Sequence, residues 1–201
     1  AALSAKIPVV GINMGTLGYL ASVDKNNLEE SFDKILHGGF TRLERMVLKL
    51  ELPDGTKHFA LNDVVVKSAE YRLAELKVSV DEELVTDYPC DGLIFATPTG
   101  ASAYNLSAGG PLIHLKMDGF VLTPICAHTL TERSVVFGGK SVLTTEHGRR
   151  KSAVHINVDG RSVCEGVNHL PLKISQASDK LITLEQPGHG QFSVLRKKLG
   201  W

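Results

Sequence analysis

The sequence predicts an α+β protein: a mainly-β sandwich in its C-terminal part, preceded by a remnant of an α/β, Rossmann-like domain. Three observations carry this prediction. From Thr41 onward the apolar pattern changes from helical spacing to a period of two, as in half-buried strands. Short apolar runs then recur, and Gly, Asp, Asn and Pro punctuate them at roughly the 8–12 residue interval of an all-β sandwich. Ahead of this region stand one β-branched run and one amphipathic helix. The expected organisation is an α/β remnant over residues 1–40, a ligand-binding β-sandwich over 41–185, and a tail over 186–201 that packs back on the α/β part.

Composition narrows the function classes. Lys plus Arg number 22 and Asp plus Glu number 22, so the formal net charge is zero. No long run of one sign interrupts the chain, which argues against a nucleic-acid partner or a charged membrane surface. No apolar stretch approaches the roughly 20 residues that span a bilayer. Cys90, Cys126 and Cys164 are scattered and contain no Cys-x-x-Cys pair, so neither a disulfide framework nor a zinc site is indicated. The expected setting is the reduced cytoplasm.

In chain order, Ala1 to Lys6 reads as the last turn of a helix. Ile7 to Ile12 (I-P-V-V-G-I) reads as a buried strand. The following loop, Asn13 to Tyr19, has two glycines that would let a ligand approach, with Tyr19 either offering a ring to it or sitting in the core. Asn27 to Leu36 is the clearest helix: Leu28, Phe32, Ile35 and Leu36 make one apolar face, capped by Asp24 or Asn26 and stopped by Gly38-Gly39. Met46, Leu48, Leu50 and Leu52 then alternate up to the turn Pro53-Asp54-Gly55. Phe59 to Lys67 and Ala74 to Val80 follow as strands. Later runs are Phe120–Ile125, Ser134–Phe137, Ser141–Thr144, Val154–Val158, Leu172–Ser175 and Leu181–Leu184. Asp159-Gly160 is a two-residue hairpin signal.

Two places stand out chemically. Asn62-Asp63 puts an amide and a carboxylate inside an apolar run, which is costly unless both are hydrogen-bonded or face a cleft. Such a pair suits the two hydroxyls of a ribose; a bulge in which Asn62 satisfies local backbone is the other reading. The second place is Asp91 to Pro111, D-G-L-I-F-A-T-P-T-G-A-S-A-Y-N-L-S-A-G-G-P. A buried strand here feeds a Thr/Ser/Gly loop and a short helix, aiming several donors at one spot. Asp91 is either an acceptor for a sugar hydroxyl or carboxamide, or a turn residue. Arg161 either reaches a phosphate or carboxylate or lies solvated in its hairpin, and His128 reads as structural. The residues alone support a polyol- or nucleotide-binding β-rich domain.

Taken together, the stretch Asp91 to Pro111 resembles the long signature of NAD kinases. Gly11-Ile12-Asn13-x-Gly15-x-Leu17-Gly18-Tyr19, Leu61-Asn62-Asp63, Val158-Asp159-Gly160 and the closing Leu199-Gly200-Trp201 join it in order. The resemblance implies NAD bound between an α/β domain and a β-sandwich, in a homodimer or homotetramer. It implies phosphoryl transfer from ATP or polyphosphate, with magnesium or another divalent cation accompanying the donor and no tightly bound cofactor. Asn62 and Asp63 would hold ribose hydroxyls and Asp91 would lie near the NAD. Thr99, Ser102, Ala103, Tyr104 and Ser107 would cradle it, Tyr19 would line the adenine end, and Arg161 would stand where the family often has Gln. The family's Gly-Gly-Asp-Gly motif, whose Asp is the catalytic acid, does not occur in these 201 residues, and Ala101 replaces the usual Ser. The expectation is a chain missing its N-terminal part, which holds most of the substrate site and is inactive or nearly so alone. A non-catalytic dinucleotide-binding or oligomerisation domain is the alternative, and a related lipid kinase a more distant one.

Overall fold

The computed structural model describes residues 2–14, 20–129 and 131–200. In chain order the first elements are helix α1 (Ala2–Ala5), strands β1 (Gly11–Asn13) and β2 (Ala21–Asp24), helix α2 (Leu28–Leu36) and strand β3 (Thr41–Arg45). Strands β4 (Leu48–Glu51), β5 (Lys57–Ala60), β6 (Asp63–Ser68), β7 (Ala74–Val80), β8 (Glu83–Cys90) and β9 (Gly92–Ala96) follow, then the short helix α3 (Tyr104–Ser107). Next come β10 (Gly119–Ile125), β11 (Val135–Gly138), β12 (Val142–His147), β13 (Val154–Val158) and β14 (Arg161–Gly166). The chain closes with β15 (Leu172–Gln176), β16 (Leu181–Glu185) and helix α4 (Gln191–Leu199).

Two compact units result, Ala1–Arg45 with Asp179–Trp201, and Met46–Ser178. The division differs from the expected limits at 40 and 185. The reason is that β3 pairs antiparallel with β16, from Thr41 opposite Glu185 to Arg45 opposite Leu181, instead of joining a sandwich sheet.

In the first unit β1 and β2 run parallel, the pairing expected of an α/β layer. The strand is shorter than the run Ile7 to Ile12 predicts. Ahead of β1, Val9 makes an isolated bridge to Thr183, while Ile7 is exposed. Asp24 caps a single 3₁₀ turn by accepting from the Asn26 amide at 2.8 Å, and α2 then starts without a side-chain cap. The predicted apolar face of α2 is turned partly outward: Phe32 is 57% and Leu36 82% exposed, whereas Ser31 is buried. Gly38, at φ +75°, ends the helix. The tail forms α4 and buries Val194 and Leu195 within this unit.

The second unit is a sandwich of two six-stranded sheets, β11-β10-β9-β6-β13-β14 and β5-β4-β15-β12-β7-β8, with every pairing antiparallel. Leu48, Leu50, Leu76, Val78, Val64, Val66, Leu93, Phe95, Phe120 and Leu143 fill the space between the sheets. The alternation of β4 and β7 reflects one buried face. By contrast β6, β9 and β10 read as unbroken apolar runs because both their faces are covered. Val65, Ile94, Ala96 and Val121 point away from the main core into a second cluster, which Ala101 and Ile113 of the following loop complete. The loop after β9 is therefore packed on the outer face of the first sheet. That packing positions the site. Pro124 fits within β10 because β11 ends opposite Leu122, so the Pro124 position lacks a partner on that side.

Candidate functional site

The expected continuous strand from Phe59 to Lys67 is interrupted. β5 ends at Ala60, β6 begins at Asp63, and Leu61-Asn62 leaves both ladders. Backbone groups that leave a ladder need other partners. Asp159 supplies most of them: its Oδ2 accepts from the Leu61 amide at 2.8 Å, and its Oδ1 accepts from the amides of Asn62 and Asp63 at 2.7 and 3.1 Å. The Asp159 amide in turn donates to the Asp63 carbonyl at 3.0 Å. From the other side, the Thr97 amide donates to the Asn62 carbonyl at 2.9 Å and the Thr97 hydroxyl to the Leu61 carbonyl at 2.6 Å. The local backbone is thus satisfied by Asp159 and Thr97, which leaves the Asn62 side chain free of that task.

Thr97 also fixes the loop that follows. Its hydroxyl accepts from the Gly100 amide at 3.0 Å. A Cβ at Gly100 would run into the Asn62 carbonyl and come within 2.7 Å of the Asn62 Cα, so only glycine fits where the two loops touch. Further along, Asn105 is fully buried. Its Nδ2 donates to the carbonyls of Ala101 and Pro111, each at 3.0 Å, and its Oδ1 accepts from the Thr123 hydroxyl at 2.7 Å. Asn105 therefore ties both ends of the loop to β10.

These arrangements open a cleft of about 330 Å³ on the outer side of the first sheet, lined by Asn62, Asp63, Val65, Lys67, Ala103, Tyr104, Asn157, Asp159 and Gly160. Residues 63, 65 and 67 alternate onto one face of β6 and form its floor, and Asn157 stands opposite Val65 on the neighbouring β13. Tyr104, 38% exposed, offers an aromatic wall. Asp63 is only 5% exposed, and among the described residues nothing donates a hydrogen bond to its carboxylate. Burial, reinforced by the negative charge of Asp159, pushes its pKa up to about 6. A buried carboxylate with no donor of its own is an acceptor waiting for one.

Of the residues singled out from sequence, the structure brings together Asn62, Asp63, Ala103 and Tyr104 around this cleft. Thr99 is buried in the loop, and the Ser102 hydroxyl is turned back to the Thr99 carbonyl at 3.3 Å. Ser107 is exposed on α3, away from the lining. Asp91 is exposed at the opposite end of β9, where its amide and carbonyl pair with Ile125 and Ser68. Arg161 lines a separate hollow with His58, Phe59, Val158, Asp159 and Val163. Tyr19 lies outside the described residues. Sequence reading missed Lys67 and Asn157, and placed Asp159 in a hairpin signal and a family motif without giving it a role in the site. The signal for Asp159 was present in Val158-Asp159-Gly160, but its partners lie nearly a hundred positions earlier.

An antiparallel sandwich with a carboxylate-floored cleft, in one chain with a parallel-strand α/β unit, defines an α+β protein with a polar cleft on its sandwich. Comparison with known proteins sharpens the class. Residues 1–40 match the ATP-NAD kinase N-terminal domain and residues 61–185 the ATP-NAD kinase C-terminal domain. The NAD kinase of Geotalea daltonii is 35% identical over 201 residues, covering 98% of this chain and 71% of that protein. That of Syntrophobacter fumaroxidans is 36% identical over 203 residues, covering 98% and 72%. Yeast NADH kinase, solved as a complex with NADH, matches with a TM-score of 0.89 at 25% identity, over 96% of this chain and 59% of the yeast chain. An NAD kinase from Archaeoglobus fulgidus, solved with ATP, shares the fold with a TM-score of 0.79 at 23% identity, over 94% and 74%. The chain belongs to the NAD kinase family.

Proposed function

We propose that this chain carries the acceptor site for transfer of a phosphoryl group from ATP or polyphosphate to the adenosine-ribose 2′-hydroxyl of NAD, giving NADP. The observation that carries the reading is the Asp63 carboxylate: buried, without a donor, beside the Asn62 amide and facing a cleft walled by Tyr104. Ribose hydroxyls supply the donors that this carboxylate lacks, and the Tyr104 ring supplies a face for a base or sugar. Asn62 adds both a donor and an acceptor, enough to fix which hydroxyl points outward. In the reaction the hydroxyl oxygen bonds to the terminal phosphorus, its proton passes to a base, and the bond to the leaving phosphate oxygen breaks. Asn62 and Asp63 serve that step by holding the ribose.

The proton acceptor in this reading is the Asp of a Gly-Gly-Asp-Gly motif, which these 201 residues do not contain. Among the described residues no three His, Cys, Asp or Glu side chains are grouped to hold a metal ion. In this reading the divalent cation accompanies the phosphates of the donor, as part of the substrate. The homo-oligomeric state expected from the resemblance and the cytoplasmic setting expected from composition belong to the same proposal. The alternative reading is a dinucleotide-binding domain without catalysis of its own.

Calorimetry with NAD, together with an NADP-forming assay containing magnesium and either ATP or polyphosphate, tests the proposal. The chain alone should bind NAD, lose that binding on Asn62→Ala or Asp63→Ala, and form little or no NADP. The same chain preceded by a segment with the Gly-Gly-Asp-Gly motif should form NADP. Absence of NAD binding would overturn the proposal. Binding without turnover in the extended protein would leave the non-catalytic reading standing.

A further inference from the structure

We propose that Asp159, a hairpin residue, is a positioning residue of the acceptor site: its carboxylate holds the backbone of Asn62 and Asp63 in place. The inference rests on the reading of the cleft as the ribose site. The geometry is specific. Asp159 and Gly160 have φ of +48° and +74°, the conformation of a tight two-residue hairpin between β13 and β14. Glycine adopts it freely, whereas at Asp159 the left-handed conformation carries a cost that only a short polar side chain lessens. That conformation is kept where it delivers both carboxylate oxygens to three consecutive amides, those of Leu61, Asn62 and Asp63. The hairpin turn itself uses none of these bonds, since its strands are paired through Val158 and Arg161.

Three amides converging on one carboxylate form a compact clamp, and charge-assisted bonds of this kind are stronger than neutral ones. The clamp lies on the backbone of the residues that present the cleft's amide and carboxylate. Asp159 also lines the cleft itself. Its negative charge adds to burial in raising the proton affinity of Asp63. The other titratable groups lining the cleft are Lys67, on the same strand as Asp63, and Tyr104 on α3. Asp159 thus acts on the ligand through Asp63 and Asn62.

The experiment compares Asp159→Asn and Asp159→Ala with the unaltered chain in three measurements: hydrogen exchange at the amides of residues 61–63, NMR titration of the Asp63 carboxyl, and calorimetry with NAD. Asn tolerates the left-handed turn and retains one oxygen for the Asn62 and Asp63 amides, but it loses the charge and the bond to Leu61. Exchange at the Leu61 amide should quicken at least about tenfold in both variants, and at all three amides in Asp159→Ala. In Asp159→Asn the Asp63 carboxyl should titrate at lower pH, a change that loss of packing at a hairpin elsewhere would not produce. NAD should bind about tenfold more weakly to Asp159→Asn, the size of one lost charge-assisted bond. Unchanged protection at Leu61 together with an unchanged Asp63 titration in Asp159→Asn overturns the proposal, and that variant decides even if Asp159→Ala fails to fold. Should the unaltered chain not bind NAD, the functional reading fails, while exchange and titration still decide whether Asp159 positions the pair.

Discussion

The state of Asp63 makes a quantitative prediction. Its pKa rises from 3.8 to about 6 in the fold, a shift of about two units that corresponds to ~3 kcal/mol at full strength. The cleft is open to water on one side, so the measurable part should be about 1–2 kcal/mol. The sign follows from linkage: a carboxyl whose folded pKa lies above its unfolded one contributes stability that is complete below pH 4 and lost as pH rises through 6. Asp63→Asn removes the ionisable group while keeping the shape. Urea unfolding followed by circular dichroism from pH 4 to 8 should show the variant gaining about 1–2 kcal/mol over the parent between pH 4 and 7, with no further change above. The same logic applies to binding. Ribose hydroxyls donate to the ionised carboxylate, so NAD affinity should climb through pH 6 and flatten above 7, and Asp63→Asn should lose this profile. A variant less stable than the parent at pH 8, or a stability difference independent of pH, would refute the account of Asp63 as a buried acceptor without donors.

Three further substitutions probe the scaffold. Gly100→Ala places a methyl group against the Asn62 backbone, and should cost about 1–3 kcal/mol in thermal unfolding and abolish NAD binding by calorimetry. Asn105→Ala strands the carbonyls of Ala101 and Pro111 and leaves the Thr123 hydroxyl with Ser134 as its remaining partner. It should destabilise by about 2–4 kcal/mol, with faster exchange confined to the loop after β9 as the diagnostic. In the first unit Arg45 and Glu185 form a buried pair across β3 and β16, with Thr183 accepting from the Arg45 Nε at 3.3 Å. Arg45→Ala should cost about 3–5 kcal/mol, while the double replacement Arg45→Met with Glu185→Leu should recover most of it in a double-mutant cycle.

What was legible in the sequence follows from where each signal originates. Strand positions were readable because burial imposes a period of two on β4 and β7 and an unbroken apolar run on β6, β9 and β10. The helix was readable, but its buried side was not. Periodicity reports which face of α2 is apolar, and says nothing of whether Phe32 and Leu36 meet a partner. β8 escaped notice because it is an edge strand whose Glu83, Thr86 and Asp87 interrupt the apolar pattern. The cleft residues divide in the same way. Asn62 and Asp63 were conspicuous because polar side chains inside an apolar run carry a local cost that has to be met somewhere. Asp159 carried no such mark, since Asp-Gly between two strands is fully accounted for by the hairpin it makes. Its three hydrogen bonds reach back 96 to 98 positions, a distance at which only strand order decides the neighbour: β13 lies beside β6, which places the turn after one strand against the start of the other. A turn residue has two sets of partners, one set by the chain around it and one by the sheet it borders. Only the first set can be read from local sequence, and here the second set reaches the ligand-facing residues.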